Sequence, residues 1–297
     1  MPPERMHADE ADIDTALVRR LIGAQFPQWA DLSLFRIPSA GTDHALFRLG
    51  PELAVRLPRI PGPTGQAEKE AHWLPLLAPQ LPLAVPTPLA LGEPGEGYPW
   101  RWSICRWLDG EALTDSDFAD PTAAAVSLAG FITALRRIDP TDGPAAGRGA
   151  PLARRDAPTG EALAALRGRL PEDDLDTLGR VWADAVRTPG WQKPPVWLHG
   201  DLLPGNLLVR QGRLSAVIDF GTLGTGDPAV DLLPAWALFS GRSRAAFRDA
   251  LDMDEATWTR GRGWALSIAL IIMPYYWDTN PVLMAAARRI VHEVLAE

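Results

Sequence analysis

Three polar side chains stand out by type and spacing: Asp201, Asn206 five residues on, and Asp219 eighteen residues after Asp201. They fall in His199-Gly200-Asp201-Leu202-Leu203-Pro204-Gly205-Asn206 and in Ile218-Asp219-Phe220-Gly221, each flanked by apolar runs. Phosphoryl transfer from a nucleotide uses such a set. One carboxylate orients the attacking hydroxyl, while an amide and a second carboxylate hold the magnesium that bridges the phosphates. On this reading Asp201 accepts or orients the hydroxyl proton. Asn206 lends magnesium a neutral oxygen and Asp219 a charged one, both suited to a hard cation. Singly, each piece is ordinary: Asp-Phe-Gly can end any strand, Pro204-Gly205-Asn206 is a common turn, and a lone histidine is usually structural. The joint spacing carries the inference.

His-x-Asp-x4-Asn and Asp-Phe-Gly are both kinase signatures. His199-Gly200-Asp201 with Asn206 resembles the catalytic loop of the aminoglycoside phosphotransferase family, which has His-Gly-Asp where protein kinases have His-Arg-Asp. Ile218-Asp219-Phe220-Gly221 resembles its metal-binding strand and turn, and Gly226-Asp227-Pro228-Ala229-Val230-Asp231-Leu232 the segment that follows. The resemblance runs from about Ser39 to about Leu295. It implies a small-molecule kinase that uses Mg2+ and ATP or GTP to phosphorylate a hydroxyl of an aminoglycoside-type antibiotic. Macrolides, other antibiotics and metabolites such as a sugar, choline or homoserine are rival acceptors for the same fold.

The resemblance also distributes supporting roles. Ser39-Ala40-Gly41-Thr42 sits where the family has its nucleotide-positioning loop, whose free backbone N–H groups approach phosphate oxygens; Ser39, Gly41 and Thr42 are the candidates. The family's third-strand lysine is replaced by Arg56, whose planar fork binds phosphate differently from an ammonium. The usual glutamate partner is Glu70, with Glu68 as the alternative. Adenine is expected against Ile104, Cys105, Arg106 and Trp107, with Cys105 and Trp107 foremost. His199 and Asp231 would brace the catalytic loop. Asp227 either caps a turn or lines the acceptor mouth. Tyr276 and Asp278, beside Tyr275 and Trp277, form an aromatic and acidic cluster suited to a sugar or aminocyclitol.

These residues need a scaffold, and the patterning describes one. Apolar residues at Ile13, Leu17, Leu21 and Ile22 have helical spacing. Leu32–Ile37, His44–Leu49 and Leu53–Leu57 read as three strands of a meander. Gln66–Leu77 reads as a helix, proline-rich 79–88 crosses to another strand pair, and the apolar, aromatic stretch 100–107 reads as the connection between two lobes near residue 108; the chain after it reads as mostly helix: 121–138, 159–169, 172–187, 231–240, 243–251, 254–276 and 281–295. The stretch 139–158 is rich in Pro, Gly and Ala and reads as a mobile loop. The expected fold is α+β and protein-kinase-like. A sheet-rich nucleotide-binding lobe with its linker spans 1–108, a helical lobe with catalytic loop and acceptor site spans 109–297, and the nucleotide cleft lies between.

Composition narrows the alternatives. At 297 residues and 46% hydrophobic the chain can bury a large core. A net charge of −8 disfavours nucleic acid, which needs a basic footprint, and mildly favours a cationic acceptor. The single cysteine allows no disulfide within the chain, and the acidic N-terminus has no apolar signal segment, so a cytoplasmic location is expected. The longest apolar run, Trp264–Trp277, contains Pro274 and is too short for a membrane span. A protein kinase is disfavoured because no Ala-Pro-Glu follows the Asp-Phe-Gly. A non-catalytic nucleotide-binding protein stays open through Arg56. Composition does not distinguish monomer from dimer.

Overall fold

A computed structural model describes residues 10–38, 43–61, 65–113 and 117–297. The chain forms two compact units. The first comprises 1–79, 84–109 and 216–221; the second comprises 80–83, 110–215 and 222–297.

The first unit opens with helix α1 (Thr15–Gln25), whose start is fixed by Asp14 accepting from the Leu17 N–H at 2.7 Å. Five strands follow: β1 (Leu34–Ile37), β2 (His44–Leu49), β3 (Leu53–Pro58) and, after helix α2 (Gln66–Leu77), β4 (Pro88–Gly92) and β5 (Trp102–Arg106). They form one antiparallel sheet in the order β1-β2-β3-β5-β4. Side chains alternate along each strand. Ala45, Phe47, Leu49, Val55, Leu57, Trp102 and Ile104 meet Leu17, Val18, Leu21 and Ile22 of α1 in one core. The opposite face carries Arg56 with Ser103 across from it, and Arg56 reaches Glu70 of α2. The sheet is therefore apolar towards α1 and charged towards α2.

The second unit holds the short strand β6 (Glu111–Ala112), helices α3 (Pro121–Arg137), α4 (Asp156–Ala165) and α5 (Glu172–Arg187), and strand β7 (Val196–Leu198). Strand β8 (Leu207–Arg210) joins β6 and β9 (Arg213–Val217) in the order β6-β8-β9. The end of β9 belongs to the first unit, where Val217 N–H donates to Ala84 C=O at 3.0 Å. Strand β10 (Gly224–Gly226) pairs with β7, then come α6 (Pro234–Ala237), α7 (Gly241–Leu251), α8 (Glu255–Tyr276) and α9 (Pro281–Leu295). Trp197, Trp236, Trp264, Phe131, Phe239 and Phe247 are fully buried in its core. No helix among the described residues is long and apolar enough to cross a membrane.

Two segments differ from the sequence expectation. The helix expected over 231–240 is a 3-10 turn, Pro228–Leu232, followed by the short α6. Pro234 lacks the N–H a continuous helix would need there. The stretch 139–158, read as a mobile loop, is fastened to β10: Ala146 N–H donates to Thr225 C=O at 2.9 Å, and Thr225 N–H to Pro144 C=O at 2.7 Å. Its end already belongs to α4.

Candidate active site

In the second unit, β7 delivers the chain into His199-Gly200-Asp201. Asp231, wholly buried, accepts from His199 N–H at 2.9 Å and from Gly200 N–H at 2.7 Å. Burial pushes the Asp231 carboxyl up, while His199 and the two backbone donors pull the other way. Gly200 has φ +82°, a left-handed conformation that favours glycine, and a Cβ there would lie 3.1 Å from Thr222 Oγ1. Thr222 Oγ1 donates to His199 C=O at 2.6 Å, and Asp201 N–H donates to His199 Nδ1 at 3.1 Å. The turn is thus held from three sides, and Asp201 leaves it with its side chain one-fifth exposed.

Asn206 closes this half. Its Nδ2 donates to Asp201 C=O at 2.8 Å and to Asp201 Oδ2 at 3.3 Å. Its Oδ1 takes no hydrogen bond among the described residues. Arg148, which no sequence motif marks, pairs with Asp201 Oδ1 and donates to Gly200 C=O at 3.2 Å. Only its place between Gly147 and Gly149, in a stretch fastened to the strands, marks it in retrospect.

The first unit carries the other half. Asp219 follows the end of β9 with φ 63°, a conformation few residues other than glycine adopt, though Asp tolerates it better than most. Arg56 Nη1 pairs with the buried Glu70, and its Nη2 lies 3.5 Å from Asp219 Oδ1. Burial opposes the Arg56 charge, but Glu70 and Asp219 more than offset it and hold the guanidinium above its ordinary value. Burial pushes Glu70 up, with Arg56 opposing. Glu70 Oε1 is buried with no hydrogen-bond partner among the described residues. Glu68 pairs with Arg101 at 3.5 Å, and Glu70 is the residue that meets Arg56. Two further groups join them. Lys69 Nζ donates to Gly221 C=O at 2.6 Å, and burial together with the Arg56 charge pushes His44 down to about 3. Lys69 is one of two lysines in the chain and adjoins Glu70, the one sequence signal it offered.

The remaining expectations fare unevenly. Ser39, Gly41 and Thr42 lie outside the described residues. Cys105 sits inside the sheet between β3 and β4, 1% exposed, where burial pushes its thiol up to about 11. Its side chain is thus closed off from a base. Trp107 is half-buried under the Arg48 guanidinium, 4.3 Å from the ring centre, and its N–H is taken by Glu52 C=O at 2.7 Å. Asp227 does not offer its carboxylate to an acceptor. It is buried, caps Ala229 N–H at 3.0 Å, and is gripped by both Arg260 Nε at 2.7 Å and Nη2 at 3.2 Å. Tyr276 ends α8 with its ring edge against exposed Tyr275, and Asp278 is exposed. Neighbouring Trp277 has Arg169 and Arg288 over its ring at 4.8 and 5.4 Å. The cluster read as acidic therefore carries two guanidiniums.

The donor set fits magnesium. The amide oxygen of Asn206 in the second unit and the carboxylate of Asp219 in the first are each the kind of hard oxygen it prefers, and it commonly takes few protein ligands beside phosphates. No cluster of three or more His, Cys, Asp or Glu placed to hold a metal occurs among the described residues.

Solved structures share this architecture. APH(2'')-IIIa in complex with GDP and kanamycin superposes with a TM-score of 0.74 at 19% identity, over 94% of this chain and 98% of that one. Macrolide 2'-phosphotransferase type I gives 0.65 at 18%, over 94% and 98%. Macrolide 2'-phosphotransferase MphH from Brachybacterium faecium gives 0.60 at 23%, over 93% and 98%. None of the curated proteins matches this chain in sequence. The fold is that of the protein-kinase-like small-molecule phosphotransferases, and the family match makes the chain an enzyme of that class. It belongs to the phosphotransferase enzyme family APH, whose sequence model matches residues 35–264.

Proposed function

We propose that this enzyme transfers the γ-phosphoryl group of ATP or GTP, as its Mg2+ complex, to a hydroxyl of an antibiotic-like small molecule. One observation carries the reading: Asp231 ties down the amides of His199 and Gly200, so Asp201 leaves the turn in a fixed direction with Asn206 hydrogen-bonded to it. Asp201 orients the acceptor hydroxyl and takes its proton as the oxygen meets phosphorus. Asn206 and Asp219 would hold the magnesium, which supplies charge neutralisation on the phosphates. Arg56, held by Glu70, faces the nucleotide phosphates, with Ser39, Gly41 and Thr42 as their backbone cradle. The base lies against Ile104, Cys105, Arg106 and Trp107 at the end of β5. The division of labour follows 1–108 for nucleotide and 109–297 for acceptor, with Ala216–Gly221 lending Asp219 to the former.

The neighbours in fold include enzymes named for aminoglycosides and for macrolides, and both are candidate acceptors. A specific observation favours the less cationic kind. Asp227 is neutralised by Arg260, Asp201 by Arg148, and Trp277 is flanked by two arginines. A polycation needs carboxylates that are not already paired. The test is magnesium-dependent ADP or GDP release across aminoglycosides, macrolides and small hydroxyl metabolites, with Asp201→Ala as control. Stimulation by one compound, lost in the control, names the acceptor; equal turnover by the Asp201 variant overturns the mechanism.

A further inference from the structure

The geometry points to Arg148 as a second catalytic residue: a guanidinium supplied from the 147–149 turn that fixes Asp201 and carries charge on the phosphoryl group in transit. This rests on the phosphoryl-transfer reading above.

The turn that presents Arg148 is built into the fold. Gly149 N–H donates to Ala146 C=O at 3.2 Å, and Asp227 N–H donates to Gly149 C=O at 3.0 Å. Gly149 and Gly226 pack backbone to backbone: a Cβ on Gly226 would lie 2.5 Å from Gly149 O, and one on Gly149 2.8 Å from a Leu198 methyl. Side chains larger than hydrogen would push the turn off β7 and β10. Arg148 therefore projects from an anchored base beside the loop that β7 delivers.

Its own bonding is incomplete. Nη1 makes both contacts, to Asp201 Oδ1 and Gly200 C=O, while Nη2 and Nε take no protein partner among the described residues. The side chain is one-third exposed. A carboxylate has lone pairs for more than one donor, so the pair with Arg148 leaves Asp201 able to accept a hydroxyl proton. The hydroxyl that Asp201 orients is the atom that bonds to phosphorus. A phosphoryl group meeting that hydroxyl would bring its oxygens towards the open Nη2 and Nε of the planar guanidinium bonded to the same carboxylate.

In the step, the acceptor oxygen forms a bond to the γ-phosphorus and the bond from phosphorus to the bridging oxygen breaks. The nucleoside diphosphate leaves with that electron pair, and the hydroxyl proton passes to Asp201. Charge stays on the equatorial oxygens throughout, where an arginine in the same chain can stabilise it.

The experiment compares Arg148→Ala and Arg148→Lys with wild type and Asp201→Ala. It uses whichever of kanamycin, erythromycin or water gives wild type its fastest magnesium-dependent nucleotide turnover. For Arg148→Ala, kcat should fall on the order of 10²- to 10³-fold, with the nucleotide KM changed less than about threefold. Lysine should restore part of the rate, and added methylguanidinium should raise the alanine variant's rate while leaving wild type unchanged. Near-wild-type kcat in Arg148→Ala, with Asp201→Ala inactive, overturns the role of Arg148 and leaves the broader reading standing. A loss that neither lysine nor methylguanidinium repairs also overturns it, because it marks a structural residue. Wild-type turnover in Asp201→Ala, or none in wild type, sinks the broader reading itself.

Discussion

The catalytic turn and the Arg56–Glu70–Asp219 group are assembled by opposite means. Around Asp201 the work is done by short bonds to backbone: Asp231 to two amides, Thr222 to a carbonyl, His199 to the Asp201 amide. Around Asp219 it is done by charge, with a buried guanidinium between two carboxylates and a lysine alongside. Bonds to backbone fix direction, whereas charges fix which ions are tolerated and leave direction loose. The difference predicts where substitution is absorbed: a turn held by amides needs its own residues, but a charge group can accept arginine for lysine if its partner follows. The largest expected effect tests the first half. Asp201→Ala should lower transfer on the order of 10²- to 10⁴-fold while nucleotide affinity, measured by calorimetry, stays within a few-fold. Comparable losses of binding and rate would mean that the two halves are not separable.

The second half should break through stability. Glu70→Ala leaves Arg56 buried with Asp219 at 3.5 Å and the Cys105 thiol beside it, and removing one member of a buried pair costs about 3–5 kcal/mol. Urea unfolding measures it directly. Glu70→Gln keeps a hydrogen-bond acceptor and should cost less. An alanine variant as stable as wild type would show that the pair does not hold this half together.

Asp231→Asn sharpens the contrast. An amide can accept from only one of the two N–H groups and turns its own donors towards the other. Losing a charged hydrogen bond there should cost about 1.5–3 kcal/mol, read from thermal unfolding, and the transfer rate should fall with it. If stability falls and the rate does not, Asp231 holds the fold but not the direction of Asp201.

This contrast also explains what could be read from the chain. Strands His44–Leu49 and Leu53–Pro58 and helices Gln66–Leu77, Glu172–Arg187 and Pro281–Leu295 lie where periodicity and turn residues put them, because burial on one face writes a period into the sequence. The Asp201–Asn206 spacing was legible because neighbours in sequence make that turn. Glu70, four residues before Leu74 and on its helix face, is the better-placed of the two glutamates in the sequence, and it is the one that meets Arg56. Arg148 was not legible, since it lies 53 residues from Asp201 in sequence and no local pattern links them. Of the two readings of Asp227 the turn cap holds, since it stands just before Pro228 and caps Ala229 N–H; the acceptor readings of Asp227 and Asp278 rested on charge, which does not show that Arg260 already holds one or that arginines surround the ring beside the other. Cys105 was placed by proximity to the linker, without the strand alternation that turns its thiol towards Arg56.

The smallest expected effect tests whether the charge group is as closed to water as its composition implies. His44 titrates at about 3 in the fold against an ordinary 6.5, because burial and Arg56 both disfavour its charged form. Between those values the unfolded chain binds a proton that the folded chain does not, so stability rises with pH across the window. The neutral histidine's contribution is fully present above pH 6.5 and is lost as pH falls towards 3. Carboxylates begin to titrate near pH 4 in any variant, so the informative range lies above that. Urea unfolding at a series of pH values should show wild type losing stability between pH 6.5 and 5 faster than His44→Gln, with parallel curves above pH 6.5. Parallel curves throughout would mean that water reaches His44 and screens it from Arg56. The group would then resemble an exposed phosphate-binding surface, and the tolerance for arginine at position 56 would come from solvent and not from Glu70.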